Sequence, residues 1–409
     1  MQSVYGIKKK ALFQKKTDFF VIIYDMKSFL YLIEGGLTSG ACMCAIELIN
    51  RLKDTNFRPI IITQHKNDFN DYCDTNGIEN YHLHYARICS LSQNRTGWLI
   101  AFFMRPILNF IAFKRLSKKI DLKKICFVHS NGGSIDFGAY LYKKKGITHF
   151  WHVRDFFLFN NTLPPLIRNL ALYMEQNATS IITVSNALRN VLIEAGCSPN
   201  KVQTIYDGIE NNLEPKKELK FERRKKLHVA CVGQICKLKG QETLVEAINL
   251  MTSTERSYFH FDFFGEIIPE FKDIFLSKIK KYDIEKDIQL KGFSNYILQN
   301  LDDYDIGVQP SHSEGFSRVT AEYMAAGLCV IAAAEGAIPE LIQHNHNGLL
   351  YEDYNAAELK ELLIYCYHNQ TKMHALAEKA QKDFFNKYDI RINFDKIINL
   401  YNRHSKVRY

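Results

Sequence analysis

No run in this chain reaches the roughly 18 uncharged apolar residues that a membrane span requires, so none of it reads as a transmembrane segment. The first residues, MQSVYGIKKK, have no apolar stretch behind their lysines, and the reading is that no secretory signal is present. Ten cysteines occur without paired CxxC spacing, which argues against zinc ligation or a disulfide framework and for reduced thiols in a cytoplasmic protein. Cys42 and Cys44 fall within one predicted helix and read as core. No GxGxxG stands between a strand and a helix with an acidic residue ending the next strand, which excludes the dinucleotide fingerprint. No RNP-type or helix-turn-helix signal appears, so a nucleic-acid-binding protein is the weaker reading despite the basic charge.

What is present is a chain of 409 residues, 46 % hydrophobic and 24 % charged, too long for one core and suited to two or three domains. Its net charge of +9 is unevenly divided. Residues 1–205 carry 26 Lys+Arg against 14 Asp+Glu, whereas residues 206–409 carry 27 against 30. A first half this basic suits an anionic partner, a membrane surface above nucleic acid, with solvated lysine faces as the plain alternative.

Strand and helix patterns alternate throughout. DFFVIIYDM (18–26) reads as a buried strand, followed by a glycine loop and the helix GACMCAIELINRL (40–52). RPIIIT (58–63), KICFVHS (124–130), THFWHV (148–153) and TSIITVS (179–185) read as further strands. The charged stretch EPKKELKFERRKK (214–226) reads as a linker, after which strands restart at KLHVACVG (226–233), HFDFFGE (260–266), DIQLKGF (287–293) and DIGVQPS (305–311). Two such blocks predict an α/β protein with two doubly wound parallel sheets. The expected division is a basic extension over 1–17, a first Rossmann-like domain over 18–208, a second over 209–388, and a last helix over 389–409 that could cross back to the first domain.

The densest chemistry lies between Pro310 and Glu340. Glu314 follows a strand's carboxyl end, where open α/β sheets bind ligands. SRVTAEYMAAG then has helical spacing, with Val319, Tyr323 and Ala326 on one stripe and a stop at Gly327. Unpaired N–H groups at such a helix start, near Ser317 to Val319, hold phosphate. Glu322, more than a turn further in, is placed to take a ribose hydroxyl pair. Together they suggest a nucleotide diphosphate. Earlier in the chain, the adjacent Gly35 and Gly36 between a strand and its helix let backbone N–H groups approach a phosphate.

The run E-G-F-S-R-V-T-A-E, followed by Gly327 and G-A-I-P-E, resembles the glutamate-x7-glutamate signature of glycosyltransferase family 4. The resemblance covers most of the chain from about residue 18 and is densest between 226 and 352. It implies a GT-B fold, two Rossmann-like domains facing each other across a cleft, and a retaining transferase that takes sugar from a nucleotide-diphosphate sugar. On that resemblance Gly315, Phe316, Ser317, Arg318, Val319 and Glu322 bind donor. Glu314 positions sugar hydroxyls, Gly35 and Gly36 face the donor diphosphate, and Gly292 and Phe293 lie against the base. Lys239 neutralises the leaving diphosphate. Family members often carry an arginine five residues before that lysine; here Gln234 stands there, and Arg318 or Lys237 is the expected replacement. His152 matches the histidine that contacts the transferred sugar, with His129 as competitor, and Arg154 and Asp155 are acceptor candidates. Asp303-Tyr-Asp305 matches a DxD metal motif of another glycosyltransferase fold but precedes a buried strand, so it reads as a strand-entry turn. No metal and no cofactor are expected.

GWLIAFFMRPILNFIAFKRLSKKI (97–120) is the most apolar segment. Arg105-Pro106 and Asn109 interrupt it, so it reads either as a helix lying in an anionic membrane interface or as a core helix. The leading expectation is a peripheral enzyme on the inner face of the cell membrane, acting on a lipid-linked or oligosaccharide acceptor in cell-surface polysaccharide or glycolipid assembly. A soluble sugar-phosphate acceptor, and a non-catalytic nucleotide- or nucleic-acid-binding protein, are the alternatives.

Overall fold

The computed structural model describes residues 26–37, 39–89, 95–156, 166–167, 169–210, 223–294 and 300–405. They form two compact units. The first holds the chain up to Ile182, takes up Leu192–Gln203 and recovers the chain from Ile397; the second comprises Thr183–Val191 and Thr204–Lys396.

The first unit is built on a seven-stranded sheet of order β3-β2-β1-β4-β5-β6-β7. Its strands are β1 Lys27–Ile33, β2 Phe57–Thr63, β3 Asn80–His82, β4 Phe127–Asn131, β5 Thr148–Val153, β6 Ser180–Thr183 and β7 Val202–Thr204. β1 pairs in parallel with both β2 and β4. Phe29 to Ile33 are wholly buried, as expected of a central parallel strand covered on both faces. The second unit carries a six-stranded sheet of order β10-β9-β8-β11-β12-β13. Its strands are β8 Leu227–Val232, β9 Phe259–Phe264, β10 Ile288–Gly292, β11 Ile306–Gln309, β12 Cys329–Ala333 and β13 Leu349–Tyr351. β8 pairs in parallel with β9 and with β11. Strand order therefore reverses between β1 and β4 in one sheet and between β8 and β11 in the other. At such a point successive connections leave on opposite faces and open a crevice at the strands' carboxyl ends. The ten cysteines are free thiols, nine of them buried.

The stretch 18–25 lies outside the described residues, and the first described strand is KSFLYLI, within the span expected as loop; its polar start, Lys27-Ser28, precedes a fully apolar continuation. The linker 214–226 lies outside the described residues as far as 222. The helix Arg95–Lys119 runs unbroken through Pro106, and by length and composition it is long and apolar enough to cross a membrane. Pro106 removes one helical hydrogen bond at a cost of about 3 kcal/mol, and side-chain contacts beside it offset that loss. Arg105 donates from Nε and Nη2 to the two oxygens of Asp136 at 2.8 and 2.9 Å, and Asn109 Nδ2 donates to Oδ2 at 2.6 Å. The Tyr173 hydroxyl donates to Oδ1 at 2.7 Å. Asp136 is 2 % exposed, so these donors replace its water.

The units also divide at other points than 208 and 389. Thr183–Val191 joins the second unit because the Glu340 carboxylate accepts from the N–H groups of Asn186 and Ala187 at 2.9 and 2.6 Å, at the start of the helix Asn186–Glu194. The last helix, Ile390–His404, changes unit at Ile397. Tyr401 packs its ring among Phe29, Phe57, Phe127 and Phe150, the Phe127 centroid 4.5 Å away.

Arg105→Ala leaves the buried Asp136 charge without its guanidinium and is expected to cost about 3 kcal/mol or more of stability. Urea unfolding read by Trp151 fluorescence measures this, and a loss below about 1 kcal/mol would show the pair to be dispensable.

Candidate active site

In the second unit the loop after β8 meets the loop after β11. Gly240 ends the first loop with φ +66°, and a Cβ there would stand 1.9 Å from the Pro310 carbonyl oxygen, so only glycine lets the two loops close up. That approach sets Lys239 beside the β11 loop. Lys239 Nζ donates to Glu314 Oε1 at 2.7 Å, and Gln309 Nε2, at the end of β11, donates to the same oxygen at 2.9 Å. Glu314 is 8 % exposed. Its backbone carbonyl accepts from Ala337 N at 2.9 Å, and Gly336 (φ +56°) lies so near that a Cβ would come within 2.4 Å of that same oxygen. The GAIPE turn is thus the wall behind Glu314.

The helix Arg318–Ala326 starts from Ser317, which has φ +71° and makes no side-chain cap; its hydroxyl bonds Thr320 Oγ1 at 2.8 Å instead. The Ser317 hydroxyl therefore caps none of the first N–H groups of this helix, and the helix dipole favours an anion there. Glu322 lies one turn on, 3.9 Å from the Arg318 guanidinium. Phe316 is buried against Tyr206 and Tyr388, so its side chain belongs to the core. Gln234 and Lys237 are exposed in the β8 loop, and Phe293 is exposed after Gly292. Neighbouring His312 holds Asp353 at 2.6 Å and stacks on Tyr354.

Asp303 and Asp305 do not converge on a metal position. Asp305 Oδ2 accepts from His228 N at 2.9 Å and its Oδ1 lies 3.3 Å from Arg224. Among the described residues no group of three or more His, Cys, Asp or Glu is placed to hold a metal ion.

In the first unit the candidates gather at the carboxyl ends of β1, β4 and β5. Gly35 and Gly36 follow β1 and precede the helix Gly40–Leu52; Asn67 Nδ2 holds the Gly35 carbonyl at 2.9 Å. His129 on β4 and His152 on β5 share a hydrogen bond of 3.2 Å between Nε2 of the first and Nδ1 of the second. His129 Nδ1 is taken by the Tyr401 hydroxyl at 2.5 Å, whereas His152 Nε2 is buried without a partner. Burial pushes both imidazoles well below their ordinary range, with the Arg154 charge adding to it, so both are neutral. Arg154 Nε donates to Asn131 Oδ1 at 2.6 Å.

Sequence reasoning passed over Glu34, directly after β1. Burial pushes its carboxyl up, while Arg87 at 3.4 Å and the Ser134 hydroxyl pull it back down and the Asp155 charge adds to the rise. Its signal was a carboxylate abutting the glycine pair. Gln309 and Tyr401 gave none, since a glutamine ending a strand and a tyrosine in a terminal helix are ordinary.

Two doubly wound sheets in one chain, each with its polar cluster at the strand-order reversal, define the GT-B class of glycosyltransferase fold. The family model described as Glycosyl transferases group 1 matches residues 212–383, and that described as Glycosyltransferase Family 4 matches residues 38–213. An uncharacterized glycosyltransferase of Methanocaldococcus jannaschii is 27 % identical over 374 residues, 89 % of this chain and 93 % of that protein. The amylovoran biosynthesis glycosyltransferase AmsK of Erwinia amylovora is 27 % identical over 197 residues, 45 % of this chain and 46 % of its own. The crystal structure of Anabaena Alr3699/HepE in complex with UDP and glucose superimposes with a TM-score of 0.74 at 19 % identity, over 92 % of this chain and all of that one. The chain belongs to the group 1, family 4 glycosyltransferases, and it is a glycosyltransferase of two-domain α/β GT-B fold.

His149, also buried, donates from Nδ1 to the Asn177 carbonyl and accepts from Ser130 at Nε2, and burial lowers it to about 4. Unfolded, the three histidines take protons near pH 6.5; folded, they refuse them. Stability is therefore complete above about pH 6.5 and falls as pH drops toward 4, by roughly 1 kcal/mol per pH unit for each histidine still neutral. Denaturant midpoints between pH 7.5 and 5 measure it; a flat profile would show that the histidines are protonated in the folded state.

Proposed function

We propose that this glycosyltransferase moves a sugar, with retention of configuration, from a nucleotide-diphosphate sugar to a membrane-borne saccharide acceptor. The observation that carries the donor half is the convergence of Lys239, Gln309 and Glu314 at the β8/β11 reversal, beside a helix start with no side-chain cap. In this reading the diphosphate lies at the start of the helix Arg318–Ala326, where N–H groups and dipole stabilise it as a leaving group. Lys239 brings a cation to the same place, with Arg318 as the second. Glu314, held by two donors, takes hydroxyls of the transferred sugar, and Glu322 takes the ribose. The neutral amide of Gln234 contributes little charge. HepE was solved with UDP and glucose, which supports a uridine nucleotide. No metal or cofactor is needed in this reading, because the cations and the helix start supply the charge.

The acceptor half rests on the helix Arg95–Lys119. It packs on its unit through Asn109, Ala112, Phe113 and Leu116, one stripe at helical spacing. It leaves exposed Leu99, Ile100, Phe102, Phe103, Met104, Ile107, Phe110 and Ile111, and then Lys114, Arg115, Lys118 and Lys119. An apolar face that ends in four cations is what an anionic bilayer surface takes up from a peripheral protein. Arg105, Asn109 and Asp136 tie the helix to the unit, which favours lying along the bilayer over crossing it. The free thiols and this face support attachment at the inner face of the cell membrane.

UDP at about 100 times its dissociation constant, with EDTA present, is expected to add roughly 2.7 kcal/mol of stability, and Glu322→Ala to abolish the gain. Stabilisation by GDP or ADP instead would change the base, and no stabilisation by any nucleotide would remove the donor reading. Sedimentation with vesicles rich in phosphatidylglycerol is expected to carry down the protein, and Phe103→Asp with Ile107→Asp to release it. A protein left in the supernatant would point to a soluble sugar-phosphate acceptor.

A further inference from the structure

His152 Nε2 is a buried polar atom with no hydrogen-bond partner among the described residues, on a side chain 4 % exposed near the carboxyl end of β5. Such atoms are rare in folded proteins and each needs a reason. Behind it runs a chain of hydrogen bonds. His152 Nδ1 meets His129 Nε2 at 3.2 Å, and His129 Nδ1 meets the Tyr401 hydroxyl at 2.5 Å. A neutral imidazole carries one N–H and one lone pair, so the direction of the first bond fixes every later one.

Two directions are conceivable, and they are not equal. If the Tyr401 hydroxyl donates, His129 accepts at Nδ1 and donates from Nε2. His152 then accepts at Nδ1 and carries its proton on Nε2. If the chain ran the other way, the Tyr401 hydrogen would need another acceptor. Tyr401 is wholly buried, and His129 Nδ1 is the one hydrogen-bond partner of its hydroxyl among the described residues. A buried hydroxyl with its hydrogen unpaired is disfavoured, because it has given up water and gained no partner. Burial also keeps the phenol protonated, so its hydrogen is always there to give.

We propose that Tyr401 is a positioning residue which, through His129, locks His152 in the tautomer that presents Nε2–H as a hydrogen-bond donor to a substrate oxygen at the carboxyl edge of the first sheet. The substrate half of this statement rests on the glycosyltransferase site proposed above; the tautomer half stands on the first unit alone. His152 then acts as a fixed donor, and it has no lone pair at Nε2 with which to serve as a general base. Its ring cannot turn to another orientation without breaking the bond to His129.

Tyr401→Phe keeps the ring among Phe29, Phe127 and Phe150 and removes only the hydroxyl. Nitrogen NMR of histidine-labelled protein is expected to find His152 protonated at Nε2 and bare at Nδ1 in the wild type, and a mixture of tautomers in Tyr401→Phe. With UDP-glucose and UDP-N-acetylglucosamine as donors, hydrolysis or transfer is expected to lose about tenfold in kcat, with donor KM within about twofold. In a His152→Gln background the further change Tyr401→Phe is expected to have no effect on kcat, because the two act as one unit. An Nε2-bare His152 in the wild type, an unaltered tautomer in the variant, or additive losses in the cycle would each overturn the proposal. If neither donor is turned over, the glycosyltransferase site is the part in question, and the NMR comparison still decides the role of Tyr401.

Discussion

The second unit depends on keeping one carboxylate almost out of water. A buried charge is tolerable only with donors in reach, and Glu314 has two on a single oxygen, the Lys239 ammonium and the Gln309 amide. Gln309 ends β11 and Lys239 stands in the loop after β8, the two strands that flank the reversal of strand order. The backbone around Glu314 is constrained as tightly as its side chain. Gly240 is glycine because the Pro310 carbonyl fills the space of a Cβ, and Gly336 is glycine because the Glu314 carbonyl does. Three loops thus fix each other, beside a helix start that the Ser317 side chain does not cap.

The first unit solves the opposite problem. It places three histidines at or near the ends of β4 and β5 and pays for none of them as cations, since burial holds each neutral. His149 is satisfied on both ring nitrogens by the chain around it, and His129 likewise by Tyr401 and His152. His152 alone is left with an unused nitrogen. A neutral histidine with a fixed tautomer is an oriented dipole, and this suits recognition of a sugar oxygen better than capture of a phosphate, for which the unit would keep a charge.

Much of this could be read from the residues. The alternation of strand and helix predicts both sheets, and β5 and the helix Gly40–Leu52 fall on their predicted bounds. The resemblance to family 4 puts Lys239 and Glu314 at one donor site, and the two side chains meet at 2.7 Å. What escaped the reading did so for physical reasons. β1 begins with Lys27 and Ser28, so its apolar run looked like loop beside the richer stretch at 18–26. Arg105 and Asn109 read as interruptions of an apolar run because the carboxylate that pairs with them, Asp136, sits far along the chain. Tyr401 lies 272 residues from the histidine that it bonds, and no local pattern carries information over that span. The charge of Glu34 depends on Arg87 and Ser134, which only the fold brings to it.

The exposed face of the helix Arg95–Lys119 has a further consequence for the protein once it is taken from the cell. Apolar area left in water favours whatever covers it, at about 25 cal/mol for each Å² removed. Eight large side chains on one face are a standing tendency to self-associate when no bilayer or amphiphile is supplied. A dimer seen by sizing in lipid-free buffer would then report the quality of the solvent, and detergent or lipid would have to be present before any subunit contact could be called part of the working enzyme.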